Sequence, residues 1–319
     1  MHGVADREAK FGKAAWAAAR LHTQSTQQLY TRARFWIGLL ASIDHHTYSQ
    51  FWANGTVPPL SGRAPRESRV FCPGKLARSD AMDSAGYCDA FWPAQRGEDC
   101  TAYVIGVGGH WGFPKYATKM GCTVHAYDPT LELRRRHQSA AARMEGVHFH
   151  FAGLGGGAAL TTASAPAASS SHNSYGTIGN TQLMTLDQMV ESQPPGSGAM
   201  RVLTIDCEGC EWAAIEQLAQ NGSAALQHVQ LLMVELHVSP SMLAPSLTQF
   251  VNLFEFLLVR QGFKLWMLRT NDGYPYDQKV VDFLGLGGLR AGLCCYELAF
   301  IRPPPAIATS YGRQRRVPP

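Results

Sequence analysis

The sequence has no apolar run long enough to cross a bilayer. Its longest N-terminal stretch of that kind, FWIGLLASI from Phe35 to Ile43, follows a polar, partly basic segment. It has roughly half the length a spanning helix needs and reads as a core-facing piece of helix. The start, MHGVADREAKFGK, lacks the early apolar region of a cleavable signal peptide, which slightly favours the cytoplasm and leaves the secretory pathway open. Charge of one sign is scarce as well. The 28 basic and 24 acidic residues give a formal net charge of +4, and the one dense basic cluster is the tail around Arg313, Arg315 and Arg316. That balance argues against a nucleic-acid partner, and a terminal basic run reads as a solvated tail. The eight cysteines, at positions 72, 88, 100, 122, 207, 210, 294 and 295, lack the paired spacing of a zinc ribbon. They are too few for a disulfide-dense scaffold in a chain of 319 residues, although one bridge, Cys72 to Cys88, is open in an oxidising compartment. No internal repeat is present.

What the sequence does hold is core material: 45% of its residues are hydrophobic, enough for one large domain or two small ones. Residues 8 to 43 read as helix, without proline, and 54 to 73 as an irregular Gly/Pro/Ser-rich connection. The organisation is then an N-terminal helical and irregular extension (1–96), a main domain (97–303) and a basic, Pro-rich tail (304–319). Within the main domain TAYVIGVGG and CTVHAYDP read as strands around the helix FPKYATKMG. Further strand candidates are VHFHFAGLGG, VLTIDCEG, VQLLMVELHV, FKLWML and CCYELAFIR. Helices EWAAIEQLAQNG and SLTQFVNLFEFLLVRQG each close on Gly. Alternation of this kind predicts an α/β fold with a mostly parallel sheet covered on both faces. The low-complexity segment 155–180 reads as a flexible surface loop.

Gly106, Gly108 and Gly109 follow a buried strand and precede a helix, where missing side chains let a ligand approach the backbone and the helix N-terminus. Asp128 ends the next strand 22 residues after Gly106, where a carboxylate can accept from both hydroxyls of a ribose. A plain tight turn followed by an Asp-Pro turn is the alternative. The order of glycines is not G-x-G-x-x-G, and no Arg or Lys in the loop points at an anion, so one ribose without phosphate fits better than a dinucleotide.

With VIGVGGHWGFPKYATKMGCTVHAYDP, TLDQMV, VLTIDCEGCEWAAIEQL, LLMVELHV and CYELAFIRP in order from about residue 97 to 303, the chain resembles the S-adenosylmethionine-dependent methyltransferases of the FkbM type, and more closely the methyltransferase-like protein 24 group. The resemblance implies a class I, Rossmann-like methyltransferase with a seven-stranded sheet. It sets Gly106, Gly108 and Gly109 under the methionine part of S-adenosyl-L-methionine, Asp128 on its ribose, and Gly153 and Leu154 around its adenine. Asp206 would end the fourth strand beside the methyl donor, with Glu208 and Glu211 completing I-D-x-E-G-x-E-W. In that pattern Cys207 and Cys210 fall at variable positions, so the C-x-x-C is expected to be incidental. His110 and Trp111 depart from the small residues of the commonest glycine loops.

A hydroxyl attacking a sulfonium methyl needs alignment and a base, and no metal to activate the donor. Asp206, Glu235 and His237 are the catalytic candidates, with His237 as base and Asp206 as neighbour or alternative. The same three residues could hold a divalent cation, but all come from two strand ends and no Asn or second Asp completes the set, so the expectation is metal-independent chemistry. The resemblance implies O-methylation of a hydroxyl on a sugar or small metabolite, with a small-molecule or glycan acceptor as partner. A non-catalytic binding module on the same fold is the competing reading.

Overall fold

The computed structural model describes residues 97–155, 182–237, 243–270 and 295–302, together with short pieces at 28, 68–69, 76–78, 86–88, 92–93, 172–173 and 176–177. The proposed N-terminal helix, the apolar run at Phe35 and the Cys72 half of the suggested bridge lie outside the described residues, apart from a helical Gln28.

Among the described residues, seven strands make the main sheet: β1 (Thr101–Ile105), β2 (Thr123–Tyr127), β3 (Val147–His150), β4 (Met200–Ile205), β5 (Leu231–His237), β6 (Lys264–Thr270) and β7 (Cys295–Ile301). They lie in the order β3-β2-β1-β4-β5-β7-β6, with the two residues Ser68–Arg69 pairing antiparallel on the outer edge of β6 as a short eighth. β1 to β5 are mutually parallel, and β7 runs antiparallel to both neighbours. The fold is therefore the expected Rossmann-like α/β arrangement. All five residues of β1 are buried, as are five of six in β4. Continuous apolar runs of this sort suit strands covered on both faces, where a side chain is buried whichever way it points. Each fully buried aliphatic or Phe side chain contributes ~1.5–3 kcal/mol.

The helices are α1 (Gly112–Lys119), α2 (Arg134–Ala141), α3 (Leu186–Glu191), α4 (Cys210–Asn221), α5 (Ala224–His228) and α6 (Leu243–Phe254). α3 starts on a capping box: the Thr185 hydroxyl accepts from Gln188 N–H while the Gln188 side chain accepts from Thr185 N–H. α4 ends at Gly222, whose φ of 73° favours glycine. α6 passes into a π-helical stretch, Glu255–Arg260, rather than continuing as one α-helix to Gly262.

One expectation is corrected in detail. VHFHFAGLGG is not one strand: Val147–His150 joins the main sheet, while Ala152–Leu154 pairs parallel with Gln182–Met184 in a separate ribbon. Segment 155–180 contains, among its described residues, the small antiparallel pair His172–Asn173 and Gly176–Thr177. In addition, Cys100 and Cys122, just ahead of β1 and β2, form a disulfide. No described helix is long and apolar enough to cross a membrane.

Candidate active site

Strand register assembles the site before any side chain is considered. Ile105 is level with Tyr127 of β2 and with Ile205 of β4, and Ile205 is level with Val234 of β5. The next residue on each strand is Asp128, Gly106, Asp206 and Glu235, so these four form one row across the carboxyl edge of the sheet. β5 runs on past the row to His237. Parallel sheets bind ligands at this edge, where the connections after neighbouring strands part.

Gly106 has a φ of 81°, and a Cβ built on it would lie 1.6 Å from the backbone oxygen of Asp206. The loops after β1 and β4 thus touch, and only a residue without a side chain fits between them. Gly108, with a φ of 54°, donates its N–H to Asp128 Oδ2 at 2.7 Å, and Thr130 N–H donates to Asp128 Oδ1 at 2.8 Å. Asp128 is only 2% exposed. Burial pushes its carboxyl up, but the polar ring of His137 beside it and hydrogen bonds from Thr130 and Gly108 outweigh this and hold it below the usual carboxylate range.

Behind Asp128 stands a residue that sequence reasoning missed. Trp111 Nε1–H donates to His137 Nδ1 at 3.0 Å, and an indole nitrogen can only donate. The His137 proton is therefore on Nε2, which faces Asp128 Oδ2 at 3.4 Å without a well-aligned hydrogen bond. Trp111, out of place among small-residue loops, has this role of orienting His137. Nothing in the Arg-rich helix RRRHQSAA marks His137 in advance. Arg136 of the same helix donates to Gly109 O at 3.3 Å, so the loop does have a cation nearby, brought from 27 residues along the chain.

Glu211 joins the β4 and β5 ends. Its fully buried carboxylate accepts from Gly209 N–H at 2.9 Å on Oε2 and from His237 N–H at 2.8 Å on Oε1, while His237 Nδ1 lies 3.1 Å from Oε1. Trp212 Nε1–H donates to His237 O at 2.8 Å. The E-W of the motif therefore clamps the last residue of β5 from both sides of its peptide, a role the sequence marked without explaining. The turn between is strained, since Glu208 adopts a φ of 58°, which costs a non-glycine residue about 1–3 kcal/mol.

With Nδ1 on Glu211, His237 Nε2 faces Glu208 Oε2 at 3.6 Å and Asp206 Oδ1 at 3.8 Å. Burial lowers the His237 pKa, but the hydrogen bond and charge of Glu211 and the charges of Asp206 and Glu208 overcome it and raise the value to about 9. Burial and the neighbouring Glu235 carboxylate push Asp206 well above the usual range, with His237 opposing. Too many carboxylates meet here for one imidazole to neutralise. Of the expected catalytic set, Asp206, Glu235 and His237 do come together, their ligating atoms all within 4.8 Å of one another.

Gly153 and Leu154 stand apart from this row. A Cβ on Gly153 would meet Leu183 Cδ2 at 2.9 Å and Pro129 Cγ at 3.1 Å, and Leu154 is buried in the core. Cys207 and Cys210 are joined in a disulfide across the strained turn, which sequence reasoning had treated as filler.

Residues 99–265, more than half of the chain, match the family model of the methyltransferase FkbM domain. Among solved structures, WbdD is 9% identical with a TM-score of 0.29, over 65% of this chain and 36% of that one, so the chain spans about a third of its length. Precorrin-6y C5,15-methyltransferase from Geobacter metallireducens GS-15 is 8% identical with a TM-score of 0.33, over 72% of this chain and 94% of that one. Phosphoethanolamine N-methyltransferase 2 from Haemonchus contortus, in complex with S-adenosyl-L-methionine, is 12% identical with a TM-score of 0.30, over 65% and 49%. No curated protein matches the chain.

Proposed function

The chain belongs to the FkbM methyltransferase domain family, and from that membership we propose that it transfers the methyl group of S-adenosyl-L-methionine to a hydroxyl of a sugar or other small metabolite. The observation that carries this reading is the row of Asp128, Gly106, Asp206 and Glu235, level on four adjacent strands at the ligand-binding edge. The residues suit the cofactor chemically: open glycine backbone for the methionine part, Asp128 braced behind that backbone on the ribose side, and an excess of carboxylates where a positively charged sulfonium would lie. Gly153 and Leu154 belong to the adenine end on the strength of the family resemblance alone. So does the finer likeness to the methyltransferase-like protein 24 group, which rests on motifs such as IDCEGCEW and VELH.

Bound S-adenosyl-L-methionine supplies a methyl group on a cationic sulfur, a donor that needs no further activation. The protein's tasks are alignment and proton removal. Gly106, Gly108 and Asp128 would hold the cofactor and Asp206 and Glu235 would face its sulfonium, which would supply a methyl group to the acceptor oxygen while the electron pair of the sulfur–carbon bond stays on sulfur. The hydroxyl proton passes to the carboxylate–imidazole cluster of Asp206, Glu235 and His237. Because His237 lies within that cluster and is held at Nδ1 by Glu211, the group as a whole, rather than a lone imidazole, serves as base. The two disulfides favour an oxidising compartment over the cytoplasm.

Isothermal titration with S-adenosylhomocysteine separates this enzyme from a non-catalytic module that has lost its pocket. The expected result is heat at one equivalent, and no binding at millimolar ligand would sink the reading. A screen of hydroxylated metabolites and glycans with methyl-labelled cofactor then identifies the acceptor.

A further inference from the structure

Asp206, Glu235 and His237 present their ligating atoms within 4.8 Å of one another, as residues do around a shared ion. Geometry adds a second, separate feature. His237 is 5% exposed, and its Nδ1 is taken by the fully buried Glu211, which fixes the ring. Among the described residues its Nε2 has no hydrogen-bond partner, and it lies 3.8 Å from Asp206 Oδ1 and 3.6 Å from Glu208 Oε2, too far for one. A histidine oriented by a carboxylate on one nitrogen and presenting the other to a group of oxygens is the arrangement that buried carboxylates impose on metal-ligating imidazoles. Trp212 on the His237 carbonyl and the strained turn at Glu208 hold the same geometry from either side.

We propose that His237 Nε2, Asp206 and Glu235 bind one divalent cation of the manganese or magnesium type at the carboxyl edge of β4 and β5. Two hard carboxylates with one imidazole suit such an ion better than a thiolate-seeking one, and leave coordination positions open for water or an acceptor oxygen. The expectation of metal-independent chemistry rested on a donor that needs no activation, on ligands from only two strand ends and on the lack of an Asn or second Asp to complete the set. The structure supplies a support in Glu211, which sequence spacing did not connect with His237. The inference rests on the methyl-transfer reading and alters its base: an ion on Nε2 displaces the proton held there, so the imidazole would position the ion and through it the acceptor hydroxyl instead of taking the proton, and the binding itself is tested without turnover.

The full chain, freed of metal by chelator, is titrated with Mn2+ and followed by calorimetry and electron spin resonance. One equivalent should bind, and pulsed measurements should show coupling of the ion to a ligand nitrogen-14. His237→Gln should abolish the nitrogen coupling, and Glu235→Gln should weaken binding at least tenfold. Absence of Mn2+ binding to the wild-type chain at millimolar concentration overturns the proposal, even if a variant fails to fold. Binding whose affinity and spectrum are unchanged in both folded variants overturns it too. So does an ion lost only in Cys207→Ser/Cys210→Ser, because Cys207, Cys210 and Glu211 would form another cluster once their disulfide is reduced. Titration with S-adenosylhomocysteine on the same metal-free sample keeps the two readings apart: cofactor binding without Mn2+ binding rejects the ion and leaves methyl transfer standing.

Discussion

Replacing Asp128 by Asn tests whether the glycine loop is held from below. The native carboxylate takes two backbone N–H groups, from Gly108 at 2.7 Å and from Thr130 at 2.8 Å, in a site 2% exposed. An amide has one oxygen, so it can serve only one of them and turns its NH2 towards the other, donor to donor. The bond to Thr130 is local, two residues along the chain, and is the one Asn retains most readily. Gly108 then loses its partner. A hydrogen bond to a charged group contributes about 1.5–3 kcal/mol, and a buried N–H left without an acceptor costs about 1–3 kcal/mol, two measures of largely the same loss. Asp128→Asn should therefore lower the free energy of unfolding by about 1.5–3 kcal/mol. It should also raise the dissociation constant for S-adenosylhomocysteine by about tenfold to a hundredfold, which is ~1.4–2.7 kcal/mol, because a loosened loop must be ordered again on binding. Urea unfolding monitored by Trp fluorescence reads the first, calorimetry on the folded variant the second. Unchanged stability would show that these bonds do not brace the loop. Reduced stability with unchanged affinity would show that the braced loop is not where the cofactor lies.

Gly106→Ala should be more severe, since its methyl would overlap the Asp206 backbone oxygen 1.6 Å away and the φ of 81° is unfavourable as well. A folded variant that bound S-adenosylhomocysteine normally would refute the contact between the β1 and β4 loops. Acid should destabilise the fold through His125, which is buried, faces His150 at 3.1 Å between ring nitrogens, and is lowered to about 4, first by burial and then by the neighbouring histidines. Between pH 6.5 and about 4 the unfolded chain binds a proton that the folded one refuses, so stability is complete above this window and falls by about 3 kcal/mol across it. A flat unfolding free energy over that range, or the same slope in His125→Gln, would contradict the assignment. Removing the disulfide in Cys100→Ala/Cys122→Ala, which opens a loop of sequence separation 22, should cost about 3 kcal/mol in the chain-entropy account. Equal melting temperatures of oxidised wild type and the double variant would show that the bridge does not form.

Much of this protein is decided locally and is legible in one dimension. The apolar runs TAYVI, VLTI and LLMVEL read as strands buried on both faces, and helices between them favour parallel pairing, so the Rossmann-like sheet is legible in the pattern. The positions of Gly106, Asp128, Asp206 and Glu235 follow too, because each ends a strand and parallel strands in register bring their ends to one edge. Pairings between side chains distant in sequence carry no such periodic mark. Nothing in RRRHQSAA ties His137 to Trp111 26 residues away, and nothing in VELH says that Nδ1 of His237 is taken by Glu211, also 26 residues off. The split of VHFHFAGLGG between two sheets was equally hidden, because either pairing satisfies the same backbone groups and the close packing of Gly153 against Pro129 and Leu183 is a tertiary contact. Sequence by itself determined which residues stand at the carboxyl edge. Tertiary structure alone decided how they are oriented and charged, because hydrogen-bond partners and desolvation depend on distances that the order of residues does not encode.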